Sequence, residues 1–221
     1  MPTKIVIATR NRHKVDEIRA VLGDGYTYLT LSELPGSPKV VEDGATFAAN
    51  VVKKAVELAR WLHQQGQGPA IVLADDSGLA VDALGGAPGV HSARFAALDR
   101  AGAENSSDQE NNLKLLCLLA KVPYSERKAR FCCTIAVAEA GAEPVATTFE
   151  GTCEGHIRFE SRGTQGFGYD PLFQPEGYNA SFAELGEDVK NQISHRAKAL
   201  ALAAPRFNFP GQHPQPEGPG T

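Results

Sequence analysis

The stretch Ala74-Asp75-Asp76-Ser77-Gly78-Leu79 places two carboxylates and a hydroxyl directly after the apolar run Ile71-Val72-Leu73. Adjacent carboxylates repel, so keeping both ionised takes a cation, a network of donors or open water. A hard divalent cation such as Mg²⁺ suits the pair, because it takes oxygen ligands and keeps waters for a phosphate substrate. The same residues suit a turn equally well, since Asp before Gly often caps one.

Four other segments carry groups of the same kind. Thr9-Arg10-Asn11-Arg12-His13-Lys14 gathers hydroxyl, amide and cationic groups between an apolar run and a helical pattern, a place to hold a phosphate chain. It lacks the GxxxxGK[ST] pattern of a Walker loop, and it also reads as a solvated basic turn with Asn11 as helix cap. Glu42 and Asp43 precede a second helix on which Asn50 and Lys54, four apart, share a face. Glu42 is a candidate to join Asp76 at a metal; Asn50 and Lys54 also read as an ordinary polar face. In Gly163-Thr164-Gln165-Gly166-Phe167-Gly168-Tyr169-Asp170-Pro171, glycine allows close backbone approach to a ligand, and Phe167 or Tyr169 could stack on a base or cover the core. Ser194-His195-Arg196 opens a last helix, whose first turn favours an anion or a carbonyl oxygen. Lys190 lies about 140° from His195 on a continuous helix, so the two converge only if the chain breaks near Ser194.

These residues need elements to position them. Residues 4–8 read as a buried strand, and Val15, Ile18, Val21 and Leu22 recur at helical spacing up to a stop at Gly23. Residues 36–44 form an exposed connection to a helix with Phe47, Val51, Ala55, Leu58, Ala59 and Leu62 on its apolar face. Residues 70–74 are the strand that delivers the acidic pair to its C-terminal end, where open α/β sheets bind ligands. Ser107 and Glu110 form a capping box for a helix through Leu113, Leu116, Leu119 and Ala120. Residues 131–138 and 144–152 form an antiparallel hairpin, and a final helix runs from 194 to about 204. The order strand, helix, helix, strand, helix, hairpin, strand, helix predicts an α/β fold with a mixed sheet flanked by helices. Residues 1–207 are expected to form a single domain. Residues 208–221, with four Pro and three Gly, form a Pro/Gly-rich tail expected to be disordered.

The chain has 221 residues, 42% hydrophobic, which supports a sizeable core. A net charge of −4 argues against a broad nucleic-acid surface and leaves room for a local basic pocket. No stretch reads as a signal peptide or a membrane span. Cys117, Cys132, Cys133 and Cys153 form no CxxC pair and are expected to be buried free thiols in a reducing cytoplasm, without a zinc site.

Taken together, the segments resemble the inosine triphosphate pyrophosphatase family, also called dITP/XTP pyrophosphatases. The hallmarks occur in order: Thr9-x-Asn11-x-x-Lys14; Glu42 before Thr46-Phe47-x-x-Asn50-x-x-x-Lys54-Ala55; Ala74 to Leu79; Gly85-Gly86-Ala87-Pro88-Gly89; Ser92-Ala93-Arg94; Phe167-Gly168-Tyr169-Asp170-Pro171; Lys190; and Ser194-His195-Arg196. Each motif alone is weak; the ordered set, over residues 4–204, is specific. The resemblance implies an elongated mixed sheet with two lobes and a central substrate cleft, a homodimer, Mg²⁺ dependence, and hydrolysis of ITP, dITP and XTP to monophosphate plus pyrophosphate. By motif, Thr9, Asn11 and Lys14 bind the triphosphate, with Arg10, Arg12 and His13 adding positive charge at variable positions of the loop. Glu42 and Asp76 hold Mg²⁺, Asp76 also accepts a proton from the attacking water, Lys54 neutralises phosphate charge, and Ser77 contacts substrate. Phe167, Gly168, Tyr169, Asp170, Lys190, His195 and Arg196 form the base end. Protonated His195 and Arg196 are donors, which favours bases carrying O6 over adenine. Alternative readings are a septum-formation-type nucleotide pyrophosphatase, a non-catalytic nucleotide-binding protein, and a phosphatase with an aspartyl nucleophile.

Overall fold

A computed structural model describes residues 3–99 and 105–207. Strand β1 (Lys4–Ile7) leads through a short loop into α1 (Arg12–Leu22), capped by the Asn11 side chain and ended at Gly23. After β2 (Thr27–Thr30) and a long connection, Thr46 caps α2 (Phe47–Gln64), which packs Val51, Ala55, Leu58, Ala59 and Leu62 inward. Strand β3 (Ile71–Val81) is followed by the 3₁₀ segment Gly89–Asp99, and α3 (Asp108–Leu118) opens on the expected capping box between Ser107 and Glu110. The long hairpin β4 (Lys128–Glu139) and β5 (Ala146–Ile157) then precedes the short β6 (Phe173–Pro175). Three short helices close the fold: α4 (Phe182–Leu185), α5 (Glu187–Ile193) and α6 (His195–Ala203).

The six strands form one mixed sheet in the order β2-β1-β3-β4-β5-β6. β2, β1 and β3 are parallel, whereas β3, β4, β5 and β6 pair antiparallel. Strand side chains alternate between faces. On one face Ile5, Ile7, Ile71 and Leu73 pack with Val15, Ile18, Ala199 and Leu200 of α1 and α6. On the other, Val6, Val72 and Ala74 pack under α2. A third cluster, with Leu79, Val81, Phe131, Phe173 and Phe182, fills the far end of the long strands. Asp75, Asp76, Ser77 and Gly78 occupy the gap in β3 between these apolar regions. Among the described residues, no helix is long and apolar enough to cross a membrane.

Several expectations change. The strand does not end at the acidic pair: β3 runs on through Val81, because β4 pairs with it from Ile71↔Glu139 to Val81↔Ala129 and so carries the backbone of a turn-like sequence as a ladder. The ligand-binding strand end belongs to β1 instead, whose neighbour β3 continues past it. β2 and the division of the C-terminal region into three helices were not foreseen. In α3, Leu115 and Leu119 face inward and Leu113 is 63% exposed, because Asn111 and Asn112 turn inward to bond neighbouring loops. All four cysteines are free, but only Cys133 and Cys153 are buried; Cys117 is exposed and Cys132 half-buried, since Cys132 and Cys133 alternate across β4. The expected Pro/Gly-rich tail, 208–221, lies outside the described residues.

Candidate active site

Period-two alternation decides what each carboxylate meets. Asp75 emerges on the face of α1 and α6, Asp76 on the face of α2, so no repulsion has to be relieved between them. Arg196 donates from Nε to Asp75 Oδ2 at 3.0 Å, and Lys14 pairs with Asp75 Oδ1. Arg196 Nη2 also donates to Ser77 Oγ at 2.8 Å, and Nη1 pairs with Glu17 of α1. Lys190 bridges Glu17 Oε1 at 2.7 Å and Asp170 Oδ2 at 2.5 Å. These groups form one buried, alternating chain of charge. Burial pushes the Asp75 carboxyl up, but the Arg196 and Lys14 charges outweigh it and hold it well below the usual range.

Asp76 has a different environment. Asn50 Nδ2 donates to its Oδ2 at 3.1 Å, while Asn50 Oδ1 accepts from Gly44 N at 2.8 Å. Lys54 Nζ donates to the Asp75 carbonyl at 2.8 Å and to Glu42 Oε2 at 3.0 Å, and lies 4.0 Å from Asp76 Oδ1. Burial is the main reason that the Asp76 pKa is raised, with the Glu42 charge adding to it and Lys54, Lys14 and Asn50 opposing it. A carboxyl of raised pKa in a cleft is a better proton acceptor than an ordinary aspartate.

Glu42 and Asp76 already face one cation, the Lys54 ammonium. Two carboxylates suit Mg²⁺, which is commonly held by one or two of them together with substrate phosphates. Among the described residues no group of three or more His, Cys, Asp or Glu side chains is arranged as a metal cage. Glu42 and Asp76 are thus the carboxylates that could serve as oxygen ligands to such a metal.

The chain break at Ser194 brings the last helices into the site. Ser194 is extended (φ −67°, ψ 161°) between α5 and α6 and caps α6 by accepting from Ala197 N. Lys190 and His195 thereby line the same cleft, as the spacing required. Gly151 permits this approach: a Cβ there would lie 2.2 Å from the His195 carbonyl oxygen.

His195 is fully buried and stacks on Phe131, with ring centroids 4.8 Å apart. Burial, helped by the Arg196 and Lys190 charges, drives its pKa well below 6.5. The expected protonated donor is thus a neutral imidazole, because the cations beside it disfavour a further positive charge. Arg196 is also less free than expected, with all three of its nitrogens engaged by Glu17, Asp75 and Ser77.

The aromatic loop divides its roles. Tyr169 is buried and donates its hydroxyl to the Ser92 carbonyl at 2.8 Å. Asp170 accepts from Phe167 N at 2.8 Å. Phe167 is half-buried at the cleft, with Lys190 4.5 Å from its ring centroid and His13 stacked on it at 5.2 Å. Both polar groups of the Gly168 peptide are held by α3: its N–H by Asp108 Oδ2 at 2.6 Å, its carbonyl by Asn112 Nδ2 at 2.9 Å.

The cleft encloses about 580 Å³, the size of a nucleotide-scale ligand site. It is lined by Thr9, Arg10, Asn11, Lys14, Glu42, Lys54, Asp76, Ser77, Lys190, His195, Arg196 and the loop from Phe167 to Asp170. Arg12 and His13 do not line it; Arg12 is exposed in the first turn of α1, and His13 ties that helix to Phe167. Asp75, read from the sequence with Asp76 as a metal pair or a turn, is instead a partner of Arg196 and Lys14, and Glu17, Asp108, Asn111 and Asn112 carried no expected role. Glu17 carried one signal, its place three residues after Lys14 on the same side of α1.

The sequence model of the Ham1 family matches residues 5–205. The chain is similar to a dITP/XTP pyrophosphatase of Desulforamulus reducens, 48% identical over 206 residues, covering 93% of this chain and 96% of that one. It is also similar to a dITP/XTP pyrophosphatase of Geobacter sulfurreducens, 48% identical over 210 residues, 95% of this chain and 98% of that one. Among solved structures, a HAM1 protein from Coxiella burnetii superposes with a TM-score of 0.77 at 36% identity, covering 93% of this chain and 98% of that chain. With the family profile running from Ile5 in the first strand through every cleft-forming segment, the chain belongs to the Ham1 family.

Proposed function

We propose that this protein hydrolyses the deaminated purine nucleoside triphosphates ITP, dITP and XTP to monophosphate plus pyrophosphate. Its similarity to dITP/XTP pyrophosphatases over nearly the full chain supports the reaction. The observation that carries the chemistry is the pairing of Asp76, with its raised pKa, and Lys54 at the wall of a cleft entered by the loop of Thr9, Arg10, Asn11 and Lys14.

In this mechanism Asp76 accepts the proton of the attacking water, and Asn50 fixes the carboxylate that does so. Lys14, Lys54 and the first N–H groups of α1 hold the phosphate chain. Glu42 and Asp76 would hold Mg²⁺, which when bound supplies charge neutralisation on the phosphate oxygens. At the far end, Phe167 stacks on the base. Lys190, Arg196 and the neutral His195 surround the O6 edge, where an acceptor is matched and the adenine amino group is not. We take the enzyme to act in the cytoplasm, as its free thiols suit. We also take it to act as a homodimer without membrane or nucleic-acid partners; burying the exposed Leu113 and Leu118 of α3 would favour self-association.

The test is turnover of ITP, XTP, GTP and ATP with and without Mg²⁺, with pyrophosphate and phosphate quantified separately. Metal-dependent release of pyrophosphate, fast for ITP and XTP and slow for ATP, is expected. Release of phosphate alone, or equal rates on ITP and ATP, would overturn the proposal.

A further inference from the structure

The motif Ser92-Ala93-Arg94 is left without a role by the mechanism above, yet it forms part of the cleft wall. Its backbone is anchored from several sides. Ser92 Oγ donates to the Gly89 carbonyl at 2.6 Å and accepts from Leu79 N at 2.9 Å. The Ala93 carbonyl accepts from Ser106 N at 3.1 Å, and Asn111 Oδ1 accepts from Ala96 N at 2.8 Å. Between these anchors Arg94 alone leaves helical geometry, at φ −123° and ψ 20°. Gly78 permits the close packing, since a Cβ there would lie 2.4 Å from Ser92 Oγ. The wall is thus built to present Arg94 from a fixed backbone.

Its guanidinium has no partner among the described residues: no hydrogen bond, ion pair or ring contact engages it. The inner cations differ. Lys14 is paired with Asp75, Lys54 with Glu42, Lys190 with Glu17 and Asp170, and Arg196 with Glu17 and Asp75. Those four cations face five carboxylates once Asp76 is included, so the inner set has no surplus positive charge for a polyanion. Among the described residues, uncommitted positive charge in the cleft comes from Arg10 and Arg94. A planar guanidinium held without a carboxylate suits bidentate contact with phosphate oxygens.

We propose that Arg94 binds the β- and γ-phosphates of the substrate and, after cleavage, the pyrophosphate product. This rests on the triphosphate pyrophosphatase reading and adds the wall that grips the leaving group. The experiment is calorimetric binding of inorganic pyrophosphate and of IMP, each with Mg²⁺, to the wild-type protein, R94A and R94K. Arg94 is only half-buried, so both variants are expected to fold, and circular dichroism checks it. R94A should weaken pyrophosphate binding about tenfold or more and leave IMP binding within about twofold, and R94K should recover part of the loss. An equal loss for both ligands, unchanged pyrophosphate binding in R94A, or no pyrophosphate binding by the wild type would overturn the proposal. Turnover of ITP by the wild type is measured separately: its absence strikes the activity, whereas the binding pattern alone decides the role of Arg94.

Discussion

Asp75 and Asp76 are consecutive in β3 and serve opposite faces of the sheet: Asp75 meets Arg196 at 3.0 Å on one, Asp76 meets Asn50 at 3.1 Å on the other. The first is locked in a buried ion network; the second keeps a raised pKa, which suits the proton acceptor proposed for it. One peptide step separates the scaffold from the chemistry.

Asp76→Asn is expected to lower kcat by roughly 10²–10⁴-fold, the range for loss of a general base. It should also raise the thermal midpoint at neutral pH. The folded pKa lies above the usual 3.8, so the carboxyl's stabilising contribution is present below that value and lost as pH rises through the folded pKa. The ionised form is a burden that Asn removes. Calorimetric melts at neutral pH check this, and a lower midpoint would contradict the assignment.

Asp75→Asn acts in the reverse direction. Removing one partner of a buried pair leaves Arg196 uncompensated, a loss of roughly 3–5 kcal/mol. Because the folded pKa is depressed, the contribution of Asp75 is present above its unfolded value near 3.8 and is lost as pH falls through the folded pKa. Urea melts should show a large gap from wild type at neutral pH that narrows in strong acid.

The imidazole of His195 is expected not to titrate between about pH 6 and 8, so the ITP-to-ATP rate ratio should stay flat across that range. Its folded pKa lies well below 6.5, so the neutral ring contributes stability above that value and loses it as pH falls toward the folded pKa. Nitrogen-edited NMR of the histidine rings reads this directly. A His195 transition near its ordinary pKa would restore the protonated-donor picture.

Asn112→Ala removes the donor that holds the Gly168 carbonyl at 2.9 Å. The loss of a buried hydrogen bond is worth about 1–3 kcal/mol, and part of it should appear as loosening of the Phe167 loop. We expect a several-fold rise in KM for ITP and a reduced preference over ATP, with kcat changed little. A changed kcat with KM intact would place Asn112 in the chemistry instead.

Much of this arrangement was legible because helical and strand periods are local. The caps at Asn11, Ser107 and Ser194 could be read from one turn of sequence, and Asn50 and Lys54 share a face by spacing alone. The course of β3 was not legible, since Asp-Asp-Ser-Gly has turn composition and only pairing with residues 129–139 keeps it extended. The neutral state of His195 was hidden for a related reason: it depends on Lys190 and Arg196 being packed beside it in a dry site. Glu17 was equally hidden, because the two cations that bury it come from the far end of the chain.

The pairing of Arg196 with Glu17 spans 179 residues, and with Asp75 it spans 121. Contacts this distant in sequence form late, after loop closure has been overcome. During synthesis, β1, α1 and β3 leave the ribosome long before α6, so Glu17 has neither Lys190 nor Arg196, and Asp75 has Lys14 alone, while most of the protein is being made. A chain arrested before residue 196 therefore lacks the guanidinium that joins Glu17, Asp75 and Ser77 across the cleft.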